Sequence, residues 1–281
     1  MEFFKYEAAG NDFIMLDRFS GGNETTPDEA RRLCARRTGV GADGVIEMLP
    51  SDSCDLKMRI LNADGSEAQM CGNGARALFL FALDRGVLDS DEATVETLSG
   101  ARRVSRAKTQ HRGQAPVLRF SVDMGVPKYR RADIPMEGQP TEEAVSIELP
   151  LESRDPVTVT CVSMGNPHCV VFVQDVNGYP VQNVGPLLET HRFFPERTNV
   201  EFVEILDDGN LEARVWERGV GETLACGTGA CASVVAASVN GLIPKRASVF
   251  LPGGALVVDW TEDGVLLTGP ARHVFDGKTV H

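Results

Sequence analysis

The chain has 281 residues, of which 42% are hydrophobic, and this length predicts one large globular domain or two of ordinary size. Its net charge of -12 argues against a nucleic-acid partner, because a protein that neutralises phosphates needs a basic surface. The sequence contains no apolar run long enough to span a bilayer and no signal-peptide pattern, so we expect a cytoplasmic protein without a membrane partner.

Short strands surround one capped helix in the first part of the chain. Strands are expected over residues 3–6, 13–16, 45–49 and 56–61, the first two of them around a turn at 9–12. Between these strands Thr26 and Glu29 form a capping box, with Pro27 at the first helical position. This pattern predicts a helix that begins after Thr26 and ends at Gly39.

A glycine-rich turn that carries Cys71 precedes a strongly apolar stretch. Residues 78–83 contain no charge, and no helix breaker occurs before Gly86, so we expect a buried helix whose N-terminus lies at the thiol. Backbone N–H groups and the positive end of the helix dipole favour a thiolate there and bind anions. For an isolated Cys-Gly turn, a small packing cysteine is the simpler interpretation.

A second Cys-Gly-x-Gly turn repeats the first one 155 residues later (226 − 71). The same displacement relates Gly10-Asn11 to Gly165-Asn166, Arg59 to Arg214, Glu67 to Glu222 and Gly86 to Gly241. We therefore expect a duplicated α/β (α+β) unit, with two pseudo-twofold-related halves, each a mostly antiparallel sheet wrapped around a central buried helix. The active site is expected in the cleft between the halves, and Glu67 and Glu222 are expected to accept hydrogen bonds from the two turns.

Seven cysteines are scattered along the chain. Their number is odd and no pair has Cys-x-x-Cys spacing, which argues against a disulfide framework and against a structural zinc site. We therefore expect free thiols and no bound metal. The cysteines outside the two turns are interpreted as packing residues, namely Cys34, Cys54, Cys161, Cys169 and Cys231.

Two thiols at opposite sides of one cleft have a specific chemical use. The backbone N–H groups of Gly72, Asn73, Gly227 and Thr228 can jointly hold one carboxylate, which leaves the adjacent α-carbon between the two sulfurs. One thiolate then removes the α-proton while the opposite thiol delivers a proton to the other face, so that the carbon is inverted. A helix terminus lowers a thiol pKa by about one unit or less, so stabilisation of the developing charge by N–H donors is the larger demand.

Further motifs run along the whole chain. They are Gly10-Asn11-Asp12-Phe13, Asn62-Ala63-Asp64-Gly65-Ser66-Glu67, Gly165-Asn166-Pro167-His168, Thr198-Asn199-Val200 and Glu217-Arg218-Gly219. Together with the two thiol turns, these motifs resemble the diaminopimelate epimerase family. The resemblance implies a cofactor-independent isomerase that interconverts L,L- and meso-diaminopimelate for lysine and peptidoglycan synthesis, usually as a homodimer.

The resemblance also implies how the halves and the site are composed. We predict a first half over 1–126 and a second half over 127–271, and the resemblance implies that the last strand, within 272–281, crosses back to complete the first half. Cys71 and Cys226 would be the base and acid pair, and His168 and Glu217 would line the reacting centre. The distal end of the substrate would be held by Asn62, Asn166, Asn199 and Arg218, while Asn11 is also interpreted as a substrate-binding residue.

Three other functions share part of this pattern. An enzyme resembling proline racemase would have no use for a distal clamp, so Asn62, Asn199 and Arg218 argue against it. A phenazine-pathway type of isomerase is disfavoured because a cysteine occurs in both copies of the repeat. A non-enzymatic thiol redox or metal-binding module lacks the short-range ligand spacing that such sites use.

Overall fold

The computed structural model describes residues 1–107, 118–151 and 155–279. Its strands are β1 (Glu2–Ala8), β2 (Asn11–Asp17), β3 (Gly44–Leu49), β4 (Leu56–Asn62), β5 (Glu92–Glu96), β6 (Arg102–Arg106), β7 (Arg119–Asp123), β8 (Ile147–Leu149), β9 (Val157–Ser163), β10 (Pro167–Phe172), β11 (Asn199–Ile205), β12 (Leu211–Glu217), β13 (Gly221–Thr223), β14 (Arg246–Leu251), β15 (Gly254–Trp260), β16 (Val265–Pro270) and β17 (Arg272–Lys278). Its α-helices are α1 (Pro27–Cys34), α2 (Gly72–Asp84), α3 (Val181–Glu189) and α4 (Gly227–Val239). No helix within these ranges is long and apolar enough to cross a membrane.

The chain divides into two compact units, Met1–Asp123 with Thr268–His281, and Met124–Leu267. In the first unit, β1 pairs antiparallel with β2 and with β17, which returns from the C-terminal end of the chain. Strands β2 and β3 are parallel, as are β4 and β5, whereas β3–β4, β5–β6 and β6–β7 are antiparallel. The predicted α+β fold with a mostly antiparallel sheet is therefore confirmed, and each strand expected before residue 62 lies within an observed one.

Helix α2 is the buried centre of the first unit. Every residue from Gly72 to Ala82 is buried, as expected for a helix without a polar face. The ring of Phe79 packs edge-on against Phe120 with centroids 5.4 Å apart, and Phe81 packs 5.4 Å from Tyr6 on β1. The apolar run in the sequence therefore forms a core helix whose N-terminal turn is held in place.

Helix α1 begins as predicted and ends earlier than predicted. The capping box is present, because Glu29 N–H donates to Thr26 Oγ1 at 3.3 Å and Thr26 N–H donates to Glu29 Oε2 at 2.8 Å. The expected end at Gly39 is wrong, since the helix stops at Cys34 and Ala35 is extended. The reason lies in a contact distant in sequence: the turn after the helix lets the Arg36 guanidinium bind the carboxylates of Asp12 at 2.7 Å and Asp43 at 2.6 Å.

The second unit repeats the first one element by element. At a displacement of 155 residues (226 − 71), β1 falls on β9, β4 on β12 and α2 on α4 with identical bounds. The pairing pattern is also repeated, because β9–β10 is antiparallel, β10–β11 parallel, β11–β12 antiparallel and β12–β14 parallel. Gly86 and Gly241, which follow the two core helices, adopt positive φ angles of 69° and 70°. The predicted duplication is thus present in the backbone itself.

The repeat-related glutamates have a different function from the one expected. Glu67 lies 3.4 Å from Arg59 Nε, and Glu222 lies 2.7 Å from Arg214 Nε, so each carboxylate pairs with an arginine of the same repeat. The prediction that they accept hydrogen bonds from the thiol turns is therefore wrong. Both arginines lie on strands, β4 and β12, so each ion pair ties the segment before the thiol turn to its sheet.

Candidate active site

Cys71 is the residue that caps the N-terminus of α2. Its backbone is extended, with φ -143° and ψ 114°, and the N–H of Gly74 donates to its Sγ at 3.3 Å. The side chain is partly buried, whereas Gly72 and Asn73 after it are buried. The first N–H groups of a helix have no partner within the helix, so this turn presents donors next to a thiol.

A buried polar network supports the turn after Cys71. Asn73 donates from Nδ2 to Asn11 Oδ1 at 2.5 Å and accepts at Oδ1 from Arg76 Nη2 at 2.6 Å. Arg76 is fully buried and also donates to the carbonyl oxygen of Gly72 at 3.3 Å. The structure thus brings Asn11, Asn73 and the first turn of α2 together. The sequence motifs assigned Arg76 no role, although an arginine next to the uncharged run of residues 77–83 is a signal that could have identified it.

Asn62 lies apart from this network in the hydrogen bonds described for the first unit. It is the exposed last residue of β4, and its Nδ2 donates to Ser66 Oγ at 3.0 Å. Its backbone N–H donates to the Ser66 carbonyl at 2.8 Å. Asn62 therefore orders the turn that leads towards Cys71.

Cys226 occupies the corresponding N-cap position of α4, with a similarly extended backbone, and carboxyl groups lie near its thiol. Its Sγ lies 3.4 Å from Thr228 Oγ1, and the residue is 7% exposed. Burial and the nearby carboxylates of Glu217 and Glu201 raise the pKa of the Cys226 thiol well above its usual range. The thiol form is therefore strongly favoured at neutral pH.

Glu217, the last residue of β12, is the carboxyl group hydrogen-bonded to the Cys226 thiol. It also accepts from Thr223 Oγ1 at 2.6 Å. Burial raises the pKa of Glu217, although its hydrogen bond from Thr223 and the nearby His168 act in the opposite direction. Glu217 and Cys226 are thus two acidic groups in contact: the Glu217 carboxylate disfavours ionisation of the thiol, whereas the hydrogen bond from Cys226 favours ionisation of Glu217.

A second buried network leads from β10 and β11 to α4. His168 Nδ1 lies 2.7 Å from Glu201 Oε1, and His168 Nε2 lies 3.0 Å from Asn166 Oδ1. Asn166 Nδ2 in turn donates to Thr228 Oγ1 at 3.4 Å. Glu201 was missed in the sequence analysis. Its signal was a carboxylate in the apolar strand β11, which is buried from Asn199 to Val203.

The side-chain amide of Asn199 forms hydrogen bonds with backbone groups. Its Nδ2 donates to the carbonyl of Pro167 at 2.9 Å, and its Oδ1 accepts from the N–H of Arg218 at 2.9 Å. Glu189 accepts from the N–H of Gly219 at 2.9 Å, which fixes the other side of the same loop. The exposed Arg218 guanidinium donates to the Glu196 carbonyl at 3.1 Å. Asn199 therefore positions the loop that carries Arg218.

No cluster of metal-binding side chains occurs in residues 1–107, 118–151 and 155–279. All seven cysteines lie in these ranges, and the structure records them as thiols rather than disulfides. Most of the predicted packing cysteines are buried as expected, while Cys54 is partly exposed.

Sequence comparison decides which family these residues represent. The family profile named diaminopimelate epimerase matches residues 3–129 and 160–274. The chain belongs to the diaminopimelate epimerase family. A diaminopimelate epimerase from Pelotomaculum thermopropionicum is 47% identical over 282 residues, which cover 99% of this chain and 98% of the relative. The family and the isomerase class that the sequence predicted are thus confirmed.

Solved structures with much lower identity share the fold of this diaminopimelate epimerase homologue. A phenazine biosynthesis protein of the PhzF family from Bacillus anthracis aligns with a TM-score of 0.70 and 17% identity, over 100% of this chain and 99% of that one. A hydroxyproline epimerase from Agrobacterium vitis aligns with a TM-score of 0.69 and 15% identity, over 99% of this chain and 91% of that one. At these identities the likeness establishes the fold alone.

Removal of the Glu217 charge is expected to shift the ionisation of Cys226 in this family member. Because the Glu217 carboxylate raises the Cys226 pKa, Glu217→Gln should lower that pKa. The rate of Cys226 alkylation by iodoacetamide should then begin to increase at a lower pH than in the wild type. Mass spectrometry of the Cys226 peptide across a pH series measures this shift. The Cys54 peptide in the same samples is the internal control and should not change. An unchanged Cys226 profile would contradict the assigned cause.

The second glycine of each thiol turn is expected to tolerate alanine to a different degree. A Cβ at Gly229 would lie 2.7 Å from Glu201 Oε1, whose position His168 restrains, whereas a Cβ at Gly74 would meet the flexible end of Ile46 at 2.9 Å. Gly229→Ala should therefore lower the free energy of unfolding by about 1–3 kcal/mol, and Gly74→Ala by less. Urea denaturation measures both values. A larger loss of unfolding free energy for Gly74→Ala than for Gly229→Ala would contradict the restraint of Glu201 by His168.

Proposed function

We propose that the protein interconverts L,L- and meso-diaminopimelate by a two-base mechanism in which Cys71 and Cys226 serve the same α-carbon. The observation that carries this proposal is the occurrence, in both repeats, of a thiol as the capping residue of a buried helix. Family membership supplies the substrate, because the relatives are named for it. The proposed activity belongs to lysine and peptidoglycan precursor synthesis.

The backbone N–H groups at the two helix starts are proposed to bind the reacting carboxylate. These groups belong to Gly72 and Asn73 in α2, and to Gly227 and Thr228 in α4. Support comes from the helix bounds, since Gly72 and Gly227 are the first helical residues after each thiol. Helix N-termini bind carboxylates through free N–H groups and the helix dipole.

The proton transfers balance without a cofactor. One cysteine enters as thiolate and takes the α-proton, and the electron pair of the broken C–H bond delocalises into the substrate carboxylate. The other cysteine enters as thiol and gives its proton to the opposite face of the carbon, so it leaves as thiolate. Donors already oriented towards the carboxylate stabilise the charge that develops on it. After one turnover the two cysteines have exchanged protonation states, and the reverse reaction uses the same groups.

The carboxyl groups near Cys226 are proposed to control the protonation of its thiol. Glu217 is hydrogen-bonded to the thiol, and its carboxylate raises the thiol pKa, so Cys226 is suited to act as the proton donor in one direction. His168 lies within the same buried cluster, through its contact with Asn166. Both residues are proposed to line the reacting centre.

The distal amino-acid end of the substrate is proposed to bind a set of amides and one arginine. Arg218 is exposed and suits a carboxylate, because a guanidinium binds one through two parallel hydrogen bonds. The contacts of Asn199 with the Arg218 backbone support a role in orienting that arginine. The remaining members of the proposed distal set are Asn62 and Asn166. Asn11, which accepts a hydrogen bond from Asn73, is proposed as a further substrate-binding residue.

Assembly, location and domain boundaries are also part of the proposal. We infer a homodimer that works in the cytoplasm without pyridoxal phosphate or metal, as the family resemblance implies. The catalytic halves are proposed to follow the duplication, with residues 1–126 and 272–281 in one and 127–271 in the other. Size-exclusion chromatography with light scattering tests the dimer, and a monomer at assay concentration would contradict it.

Deuterium exchange at the substrate α-carbon tests the activity. Purified protein is incubated with L,L-diaminopimelate in heavy water, under reducing conditions and without pyridoxal phosphate, and we expect meso product that carries deuterium at the inverted carbon. L-Proline and trans-4-hydroxy-L-proline serve as control substrates and should show no exchange. Absence of both exchange and meso product would overturn the proposal, and stoichiometric zinc in the protein would favour a metal module instead.

A further inference from the structure

The second repeat contains a buried ionisable pair that the first repeat replaces with apolar residues. His168 and Glu201 are both 0% exposed and in contact at 2.7 Å. At a displacement of 155 residues (226 − 71), their counterparts are Phe13 and Ile46, which are buried in the core of the first unit. The fold itself therefore does not need charged groups at these positions. Burial of a carboxylate costs free energy unless the group is paired. We therefore expect the His168–Glu201 pair to have a function that is specific to the second repeat.

The contacts of His168 show what Glu201 does to the ring. Both ring nitrogens face oxygen atoms, since Nδ1 lies 2.7 Å from Glu201 Oε1 and Nε2 lies 3.0 Å from Asn166 Oδ1. An oxygen acceptor at Nε2 requires a proton there, and the short contact at Nδ1 places a further proton between the ring and Glu201. The contact with Glu201 therefore fixes the orientation of the ring.

The glycine at position 229 leaves space beside α4 for the Glu201 carboxylate. A Cβ at Gly229, in the first turn of the helix, would lie 2.7 Å from Glu201 Oε1 and 3.3 Å from its Cδ. The other carboxylate oxygen, Oε2, is buried and has no hydrogen-bond partner among the described residues. A buried carboxylate that stabilises a fold normally accepts hydrogen bonds at both oxygens. Here only Oε1 has a partner, the His168 ring, so we infer that the contact orients the ring at a cost in stability.

We propose that Glu201 is a positioning residue for the isomerase reaction: it fixes His168 through Nδ1, and through His168 and Asn166 it fixes Thr228 beside the Cys226 thiol. The contacts that continue this chain are Asn166 to Thr228 at 3.4 Å and Thr228 to Cys226 at 3.4 Å. The inference rests on the proposed roles of His168 and Cys226. It adds a residue that supports the reacting centre without touching the substrate.

A double-mutant cycle between Glu201 and His168 separates this role from a structural one. Glu201→Gln should lower kcat about 10- to 100-fold in the wild-type background, the range known for carboxylates that orient metal-binding histidines, with KM changed less than kcat. In a His168→Phe background the same substitution should lower kcat much less than in the wild type, because the ring is absent and only the direct effect of the Glu201 charge on Cys226 remains. Equal losses in both backgrounds, or no loss in the wild type, would overturn the proposal.

Proton NMR provides a readout that does not depend on activity. A proton held between His168 Nδ1 and Glu201 at 2.7 Å should give a far-downfield resonance that vanishes in both His168→Phe and Glu201→Gln. Persistence of this resonance in Glu201→Gln would overturn the proposal even if activity falls. An inactive wild-type protein that shows the Glu201-dependent resonance would instead contradict the proposed function and leave the contact established.

The first repeat supplies a control variant that should fold. The double substitution His168→Phe with Glu201→Ile copies the Phe13 and Ile46 pair, and replacing a buried ionic pair with apolar residues is often neutral or stabilising. Its thermal midpoint is expected at or above that of the wild type, whereas its kcat should be close to that of His168→Phe alone. A double variant that is less stable than either single variant would assign the pair to stability and overturn the positioning role.

Discussion

Replacement of either Cys71 or Cys226 by serine is expected to lower the rate of diaminopimelate interconversion about 10²- to 10⁴-fold, the contribution of a single acid–base group. Serine is a good N-cap residue, so α2 and α4 should keep their starts while the reacting group becomes a far weaker acid. The initial rate of meso product formation from the L,L isomer, followed by chiral chromatography, measures the loss. Circular dichroism should show that both variants remain folded.

The matched control for the two thiols is Cys54→Ser. Cys54 lies just before β4, is partly exposed and takes part in neither thiol turn, so its replacement should change the rate less than about twofold. The double variant Cys71→Ser with Cys226→Ser should be little slower than either single variant, because the two groups act as a unit. A single variant that keeps a third or more of the wild-type rate would exclude that cysteine as base or acid.

Replacement of Arg76 by methionine is expected to lower the free energy of unfolding by about 2–4 kcal/mol. Methionine fills a similar volume but leaves Asn73 Oδ1, the Gly72 carbonyl and the Pro270 carbonyl without the donors that the guanidinium provides. Each buried acceptor that loses its partner costs about 1–3 kcal/mol, and relaxation of the network reduces the sum. Urea denaturation monitored by circular dichroism measures the change.

Arg85→Met provides the control on the same helix. Arg85 lies at the C-terminal end of α2, and its guanidinium forms an exposed ion pair with Asp17 at 3.3 Å. Exposed ion pairs contribute about 0–1 kcal/mol, so this variant should remain close to the wild type in stability. Arg76→Met should also lower activity, because Asn73 and Asn11 lose their support next to Cys71. Equal stability losses for the two variants would contradict the role assigned to burial.

Contacts that form only in the folded protein account for the predictions that were wrong. The capping box at Thr26 predicted where α1 begins, since the residues involved are neighbours in the chain. After α1 ends, Arg36 contacts Asp12, which is 24 residues earlier on β2, and no local pattern records this contact. Glu222 likewise pairs with Arg214 across a tight turn of the sheet rather than with the thiol turn that follows it.

The sequence by itself determined the features that short-range pattern and repetition encode. An apolar helix behind a Cys-Gly-x-Gly turn, its copy 155 residues later (226 − 71), and the family are all readable because they depend on residue type and spacing. Only the tertiary structure decided which polar groups meet. His168 contacts Glu201, a residue 33 positions away, because β10 and β11 run side by side in parallel. Strand register sets such contacts, and register depends on the packing of the whole unit.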